Sequence, residues 1–209
     1  GIFFFLVAIK KQKKIFWFLV PVCFFFGFLS KQSPSSYILL TLLISMIIYV
    51  KYSRDLSFIK YFFISSLFCL SFLFVFFYFN KINLEQFIYQ YILFPQTIAA
   101  ERIDNYKITF NGIFLRFKFI YIFFISLLII LFTSKKLFKE NYKFLYSIIL
   151  ILLTVVLIFH QVVTKNFIFI FFLIPMLASL IQFNILNSYK YRNLAVAILV
   201  FSTFFLTLK

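Results

Sequence analysis

Long apolar runs, each separated from the next by a polar or basic connection, dominate this chain. A membrane-spanning helix needs roughly 20 apolar residues, and flanking Ser, Tyr and Lys side chains extend the shorter runs to the interface. The runs cover residues 2–9, 15–29, 37–50, 61–79, 117–132, 144–159, 167–183 and 194–208. The first is a partial span, and the others are read as full spans.

The amount of apolar surface excludes a soluble domain. Of the 209 residues, 65% are hydrophobic, and the mean hydropathy is +1.08. A water-soluble fold of this size cannot hide so much apolar surface, so the bilayer acts as the solvent. We predict an all-α, polytopic transmembrane helix bundle of about seven full spans plus one partial span. One long external loop, 80–116, is predicted to carry an interfacial helix.

Basic residues alternate between the short connections, rich in one and poor in the next. Because Lys and Arg accumulate on the cytoplasmic side, this pattern predicts an orientation. Loops 10–14, 51–60, 134–143 and 187–193 are predicted to be cytoplasmic, and loops 30–36, 80–116 and 160–166 external. The net charge of +16 therefore indicates topology and does not predict a nucleic-acid partner.

The beginning of the chain indicates a fragment. Gly1 is followed by only eight apolar residues before "KKQKK", too few for a span. A signal peptide carries its charges before the apolar stretch, not after it. We expect a single transmembrane domain, 1–209, whose N-terminal part is missing. An AT-rich bacterial genome would explain the abundance of residues with AT-rich codons. We expect the chain in the bacterial inner (cytoplasmic) membrane.

The long external loop opens with an amphipathic segment. In "NKINLEQFIYQYILFPQ" apolar residues recur at helical spacing, while Glu85, Gln86 and Gln90 fall largely on the other side. Asn83 is predicted to cap this helix and Pro95 to end it. Such a helix should lie flat on the outer surface or dip into it, although it could also merely cover the bundle.

A charged cluster follows this helix in "TIAAERIDNYKITFNG". Arg102 is a candidate phosphate ligand because its guanidinium donates two hydrogen bonds to an anion. Glu101 or Asp104 could pair with Arg102 or bind sugar hydroxyls. The alternative is a solvated loop whose charges serve only to keep it in water.

The stretch "IFHQVVTKNFIFIFF" contains the one histidine of the chain. His160, Gln161, Lys165 and Asn166 are predicted to lie at the outer interface, at the depth of a lipid headgroup. Lys165 would bind a lipid phosphate as a point charge, and His160 would hydrogen-bond it or transfer a proton. The alternative is a polar hairpin turn with a lysine that reaches the interface.

Two segments carry a family resemblance, "LEQFIYQYILFPQTIAAERI" and "FHQVVTKNFIFIFFLIPMLASLI". Together with the apolar bundle they resemble the GT-C superfamily of membrane glycosyltransferases, in particular its mannosyltransferase-like bacterial members. The resemblance implies sugar transfer from a polyprenyl-phosphate carrier to a lipid, glycan or protein acceptor on the external face. It also implies a catalytic acidic residue in an external loop upstream of this fragment. Arg102, Lys165 and His160 would then bind the anion of the carrier.

Other functions remain open from the sequence. An O-antigen polymerase or ligase also has many spans and one long external loop. A lipid-linked-sugar flippase or other transporter usually needs charged groups within its spans, and none lies mid-span here. A structural subunit is a further option. Cys23 and Cys69 show no metal-ligand or disulfide spacing, so no cofactor or metal ligand is identified, and a divalent metal is an option without supporting residues.

Overall fold

The structure, a computed structural model, describes residues 1–104, 109–133, 141–164 and 170–185, together with 197 and 201. In these residues it is helical and contains no strand, which confirms the all-α prediction at this level. Two π-helical turns, Tyr89–Leu93 and Asn111–Leu115, interrupt the α-helices. The α-helices are α1 Ile2–Lys11, α2 Lys14–Ser30, α3 Gln32–Ser53, α4 Ser57–Phe79, α5 Leu84–Ile88, α6 Phe94–Asp104, α7 Lys118–Thr133, α8 Asn141–Thr164 and α9 Leu173–Ile185.

Within the described part of the chain, three helices are long and apolar enough to cross a membrane, which is consistent with a membrane protein. They are Gln32–Ser53, Ser57–Phe79 and the segment Tyr142–Thr164 of α8. Helices α2, α7 and α9 are apolar but shorter. The count of seven full spans therefore stays a prediction, and most of the last predicted span, 194–208, lies outside the described residues.

Two of the predicted connections are shorter in the structure than in the sequence interpretation. Helix α3 begins at Gln32, so the predicted loop 30–36 shrinks to the surroundings of Lys31. Pro34 is compatible with this early start because the first turn of a helix needs no backbone N–H from it. Helix α8 begins at Asn141, inside the predicted loop 134–143, and continues to Thr164, into the predicted loop 160–166.

The chain divides into two compact units, residues Gly1–Tyr106 and Lys107–Lys209. In the first unit α2 packs against α1, α3 and α4. The hydroxyl of Ser65 in α4 donates to the backbone carbonyl of Phe18 in α2 at 2.6 Å, and further along the same pair the ring centroids of Phe25 and Phe72 lie 6.3 Å apart. Helices α2 and α4 therefore run parallel. The single transmembrane domain predicted for 1–209 stays a prediction.

An aromatic cluster holds one end of the first unit together. The Trp17 ring lies 5.7 Å from that of Phe5, 5.4 Å from that of Tyr49 and 4.7 Å from that of Phe58, measured between centroids. All four side chains are buried. The side-chain amide of Gln12 donates to the Tyr49 hydroxyl at 2.9 Å. Each of α1, α2, α3 and α4 contributes one ring to the cluster. The cluster therefore holds the connections 12–13 and 54–56 at the same end of the unit.

In the second unit α7 packs mainly against α9, and α8 contacts both. Lys143, near the start of α8, places its ammonium 5.0 Å from the ring centroid of Phe183, near the end of α9, so these two helices are antiparallel. One face of α8 buries Ser147 and Thr154, seven residues apart. Each hydroxyl donates to the carbonyl four residues earlier, at 2.9 Å and 2.7 Å respectively. Small residues of this kind let helices approach closely.

We expect Phe58→Ala to lower the free energy of unfolding by about 3–5 kcal/mol, because it removes a buried ring that contacts both Trp17 and Tyr49. Phe63→Ala is the matched control on the same helix. Phe58 is 1% exposed and Phe63 is 62% exposed. Chemical unfolding of the purified protein measures both. Equal losses for the two variants would contradict the importance assigned to the cluster.

Candidate functional site

A short surface helix follows α4 in the first unit and is set by local hydrogen bonds. Lys81 adopts a left-handed backbone conformation with φ of 53°, which turns the chain away from α4. The Asn83 side chain then accepts a hydrogen bond from the backbone N–H of Glu85 at 2.8 Å. This contact caps α5, as the sequence predicted, since an Asn side chain satisfies an N–H that has no partner within the helix.

The prediction that Pro95 ends this helix is wrong, because the helical path continues to Asp104. The turn Tyr89–Leu93 is π-helical, and the N–H of Phe94 donates to the carbonyl of Tyr89, five residues back. The new α-helical segment begins at Phe94, so Pro95 stands in its first turn, where its missing N–H costs little. π-Helical turns are frequent at functional sites.

One stripe of this surface helix packs against the bundle. The Phe87 ring lies 4.7 Å from that of Phe77 in α4 and stacks on the Tyr91 ring at 4.6 Å. The Tyr91 hydroxyl donates to the carbonyl of Leu29 in α2 at 3.1 Å. The face that packs against the bundle is therefore narrower than the predicted apolar face, because Leu84, Ile88 and Ile92 are exposed.

A groove of about 950 Å³ runs along α5 and the π-helical turn. Its described lining consists of Asn83, Leu84, Glu85, Gln86, Ile88, Tyr89, Gln90 and Leu93. A carboxylate, three amides and a phenol thus stand beside three aliphatic side chains. The polar groups suit hydroxyls, and the aliphatic groups suit a hydrocarbon chain. The sequence predicts the amphipathic helix but not this groove, whose lining includes residues of the π-helical turn.

The predicted charged cluster is helical where the chain is described. Glu101 is exposed on α6. Arg102 and Asp104 belong to the same helix, but their side chains lie outside the described part of the structure, as does Lys107 altogether. The assignment of Arg102 to a phosphate stays a prediction.

His160 and Gln161 are buried within α8, at 4% and 0% exposure, and do not stand in a polar turn. The Gln161 Nε2 and His160 Nδ1 atoms lie 3.0 Å apart, while the Gln161 Oε1 atom has no hydrogen-bond partner among the described residues. An unpaired buried acceptor is costly, so this amide is suited to a hydroxyl or N–H donor. Lys165 and Asn166 lie outside the described residues.

Lys143 is buried, which the sequence does not predict. The sequence predicts this lysine in a cytoplasmic loop, yet it is 3% exposed in the first turn of α8. Its spacing to Ser147 and Thr154 places the three on one helical face, and this polar periodicity is the signal that could have revealed it.

No metal site is formed by the residues that the structure describes, since nowhere among them do three His, Cys, Asp or Glu side chains come together. Cys23 and Cys69 are free thiols. Comparison of the chain with protein-family models, with curated proteins and with solved structures finds no match. Function must therefore be argued from the site itself.

We expect Tyr91→Phe to speed amide hydrogen exchange in residues 84–93 about fivefold, because it removes one hydrogen bond worth about 1 kcal/mol while keeping the ring. Tyr89→Phe is the control, since Tyr89 lines the groove and is exposed. Hydrogen-exchange mass spectrometry compares the two. Unchanged exchange in Tyr91→Phe would show that its hydroxyl does not hold the surface helix.

Proposed function

We propose that this chain is part of a membrane-embedded glycosyltransferase of the GT-C type. In this proposal it transfers a sugar from a polyprenyl-phosphate carrier to a lipid, glycan or protein acceptor on the external face of a bacterial cytoplasmic membrane. The observation that carries the proposal is the groove along α5 and the π-helical turn. Its mixture of hydroxyl-binding and aliphatic side chains fits an amphipathic ligand.

The level of the groove relative to the bilayer supports this assignment. Helix α4 has 23 residues, which at 1.5 Å per residue corresponds to about 34 Å, close to the thickness of the hydrocarbon core. Helix α5 begins five residues after α4 ends. A chain that crosses the bilayer along α4 therefore reaches the groove at headgroup depth, where the sugar and phosphate of a polyprenyl carrier are found.

The second unit, taken by itself, also offers a group that can bind a hydroxyl. The unpaired Gln161 Oε1 atom is suited to accept a hydrogen bond from a ligand hydroxyl, and His160 holds the amide from its other side. Rotating the amide by half a turn leaves its NH₂ group unpaired instead, and a hydroxyl satisfies either arrangement because it both donates and accepts. Asn166 is assigned the same role.

The charged residues would act on the carrier phosphate. Arg102 and Lys165 are assigned to this anion, and Glu101 to orienting Arg102 or to a sugar hydroxyl. Cations held at the phosphate stabilise the charge that develops there as the glycosidic bond breaks. No residue of this chain is assigned as the catalytic base.

The groove is tested by sugar transfer in the full-length protein, reconstituted in nanodiscs with a radiolabelled sugar on undecaprenyl phosphate. We expect Gln90→Ala to lower kcat/KM about tenfold, because it removes a hydrogen bond to the bound sugar. Gln96→Ala is the matched control, since Gln96 is exposed on α6 and does not line the groove. An absence of transfer by the wild-type protein, over several sugars and acceptors, would reject the proposed function.

The phosphate assignment is tested in the same assay. We expect Arg102→Ala and Lys165→Ala each to lower kcat/KM about 10–100-fold, because each removes a charged hydrogen-bond donor. The amount of folded protein in the membrane should not change. Lys81→Gln serves as the control for loss of one exposed cation. Normal transfer by both alanine variants would refute the phosphate assignment without refuting the glycosyltransferase.

A further inference from the structure

Seven exposed cations gather at one end of the first unit, which we call the basic end. They come from the end of α1, the start of α2 and the connection between them, from the end of α3 and from the start of α4. They are Lys10, Lys11, Lys13, Lys14, Lys51, Arg54 and Lys60. The connections at the opposite end of the same helices, at residue 31 and at 80–83, contribute only Lys31 and Lys81.

The fold, and not sequence proximity alone, brings these cations together. The aromatic cluster around Trp17 packs the end of α3 and the start of α4 against α1 and α2. Helices α1 and α3 both end in left-handed residues, Gln12 with φ of 51° and Arg54 with φ of 55°. Cations in the last turn of a helix are also stabilised by the negative C-terminal end of the helix dipole.

Among the residues that the structure describes, none of the seven cations of the basic end makes an ion pair. Asp55 is the carboxylate that lies nearest to these cations in the sequence. It accepts a hydrogen bond from the backbone N–H of Ser57 at 2.8 Å, at the start of α4. Lys14 places its ammonium 5.6 Å from the centroid of the Tyr61 ring. Seven cations with one carboxylate beside them leave an excess of positive charge, which repels itself and attracts anions.

The position of the basic end indicates which kind of anion would bind there. Lys51 and Arg54 stand at the end of one membrane-length helix, and Lys60 stands in the first turn of the next. Their charges therefore lie at headgroup depth if these helices cross the bilayer. A leaflet containing anionic lipids presents many fixed negative charges within one Debye length, about 8 Å at physiological salt, so several cations are engaged at once.

We propose that the basic end binds the phosphate headgroups of anionic phospholipids. Through this contact the lipid stabilises the packing of α1–α4, because bringing the anions to the cations removes their mutual repulsion. The proposal is independent of sugar transfer, since it involves neither the groove nor His160 and Gln161.

The test measures thermal unfolding of the purified full-length protein in nanodiscs of phosphatidylcholine, with and without phosphatidylglycerol. We expect phosphatidylglycerol to raise Tm by about 4 °C, and 1 M salt to abolish the rise. The variant Lys11→Gln with Lys13→Gln should lower the rise by about a third, and further substitution of Lys10 and Lys51 by Gln should lower it by more than half. The matched control, Lys31→Gln with Lys81→Gln, should keep the full rise.

Three results would overturn the proposal. One is an equal Tm in the two lipid compositions. Another is loss of the rise in the Lys31 and Lys81 control, which would show that the effect is not confined to the basic end. The third is an equal rise produced by inorganic phosphate in phosphatidylcholine nanodiscs, which would assign the site to a soluble anion. The double variant keeps five of the seven cations, so a folding defect in the quadruple variant leaves the test intact.

Discussion

The need to pair backbone N–H and C=O groups within helices is the constraint on which the described part of this structure depends. In an apolar environment an unpaired peptide group is costly, and a helix satisfies its peptide groups internally. Even the hydroxyl side chains follow this rule. Ser45 donates to the carbonyl of Thr41 at 2.6 Å, and Ser126 to that of Ile122 at 2.8 Å. The few exceptions, such as Ser65, donate across to another helix, and these are the contacts that fix how helices pack.

Apolar side chains alone cannot decide that packing, because lipid tails are as apolar as leucine. Specificity must come from shape and from rare polar contacts. In the first unit the aromatic cluster supplies shape at one end, and the Tyr91 contact to Leu29 supplies a polar contact at the other. The surface helix is therefore held by a few identifiable groups, which leaves its remaining faces available to a ligand or to lipid.

The sequence was sufficient to predict helices and their approximate positions, because long apolar runs have few other stable forms. It was less reliable at helix ends. Pro34 and Pro95 look like helix breakers, yet each stands in the first turn of a helix, where proline is tolerated. The burial of Gln161 and Lys143 could not be predicted from local pattern, since it depends on which face of α8 meets its neighbours. The groove escaped prediction because a π-helical turn has no clear sequence signature.

Helix α4 illustrates how unevenly such a fold restricts its own sequence. Only 17% of its membrane-length window is buried, and a few positions such as Phe58, Ser65 and Cys69 carry its contacts. At the other positions Phe, Leu, Ile and Val are nearly equivalent, and their codons differ by single bases. Exchanges among these residues on the exposed surface of α4 should therefore change stability little. The base composition of a genome can then bias which of them stands there, while the buried positions are held by packing.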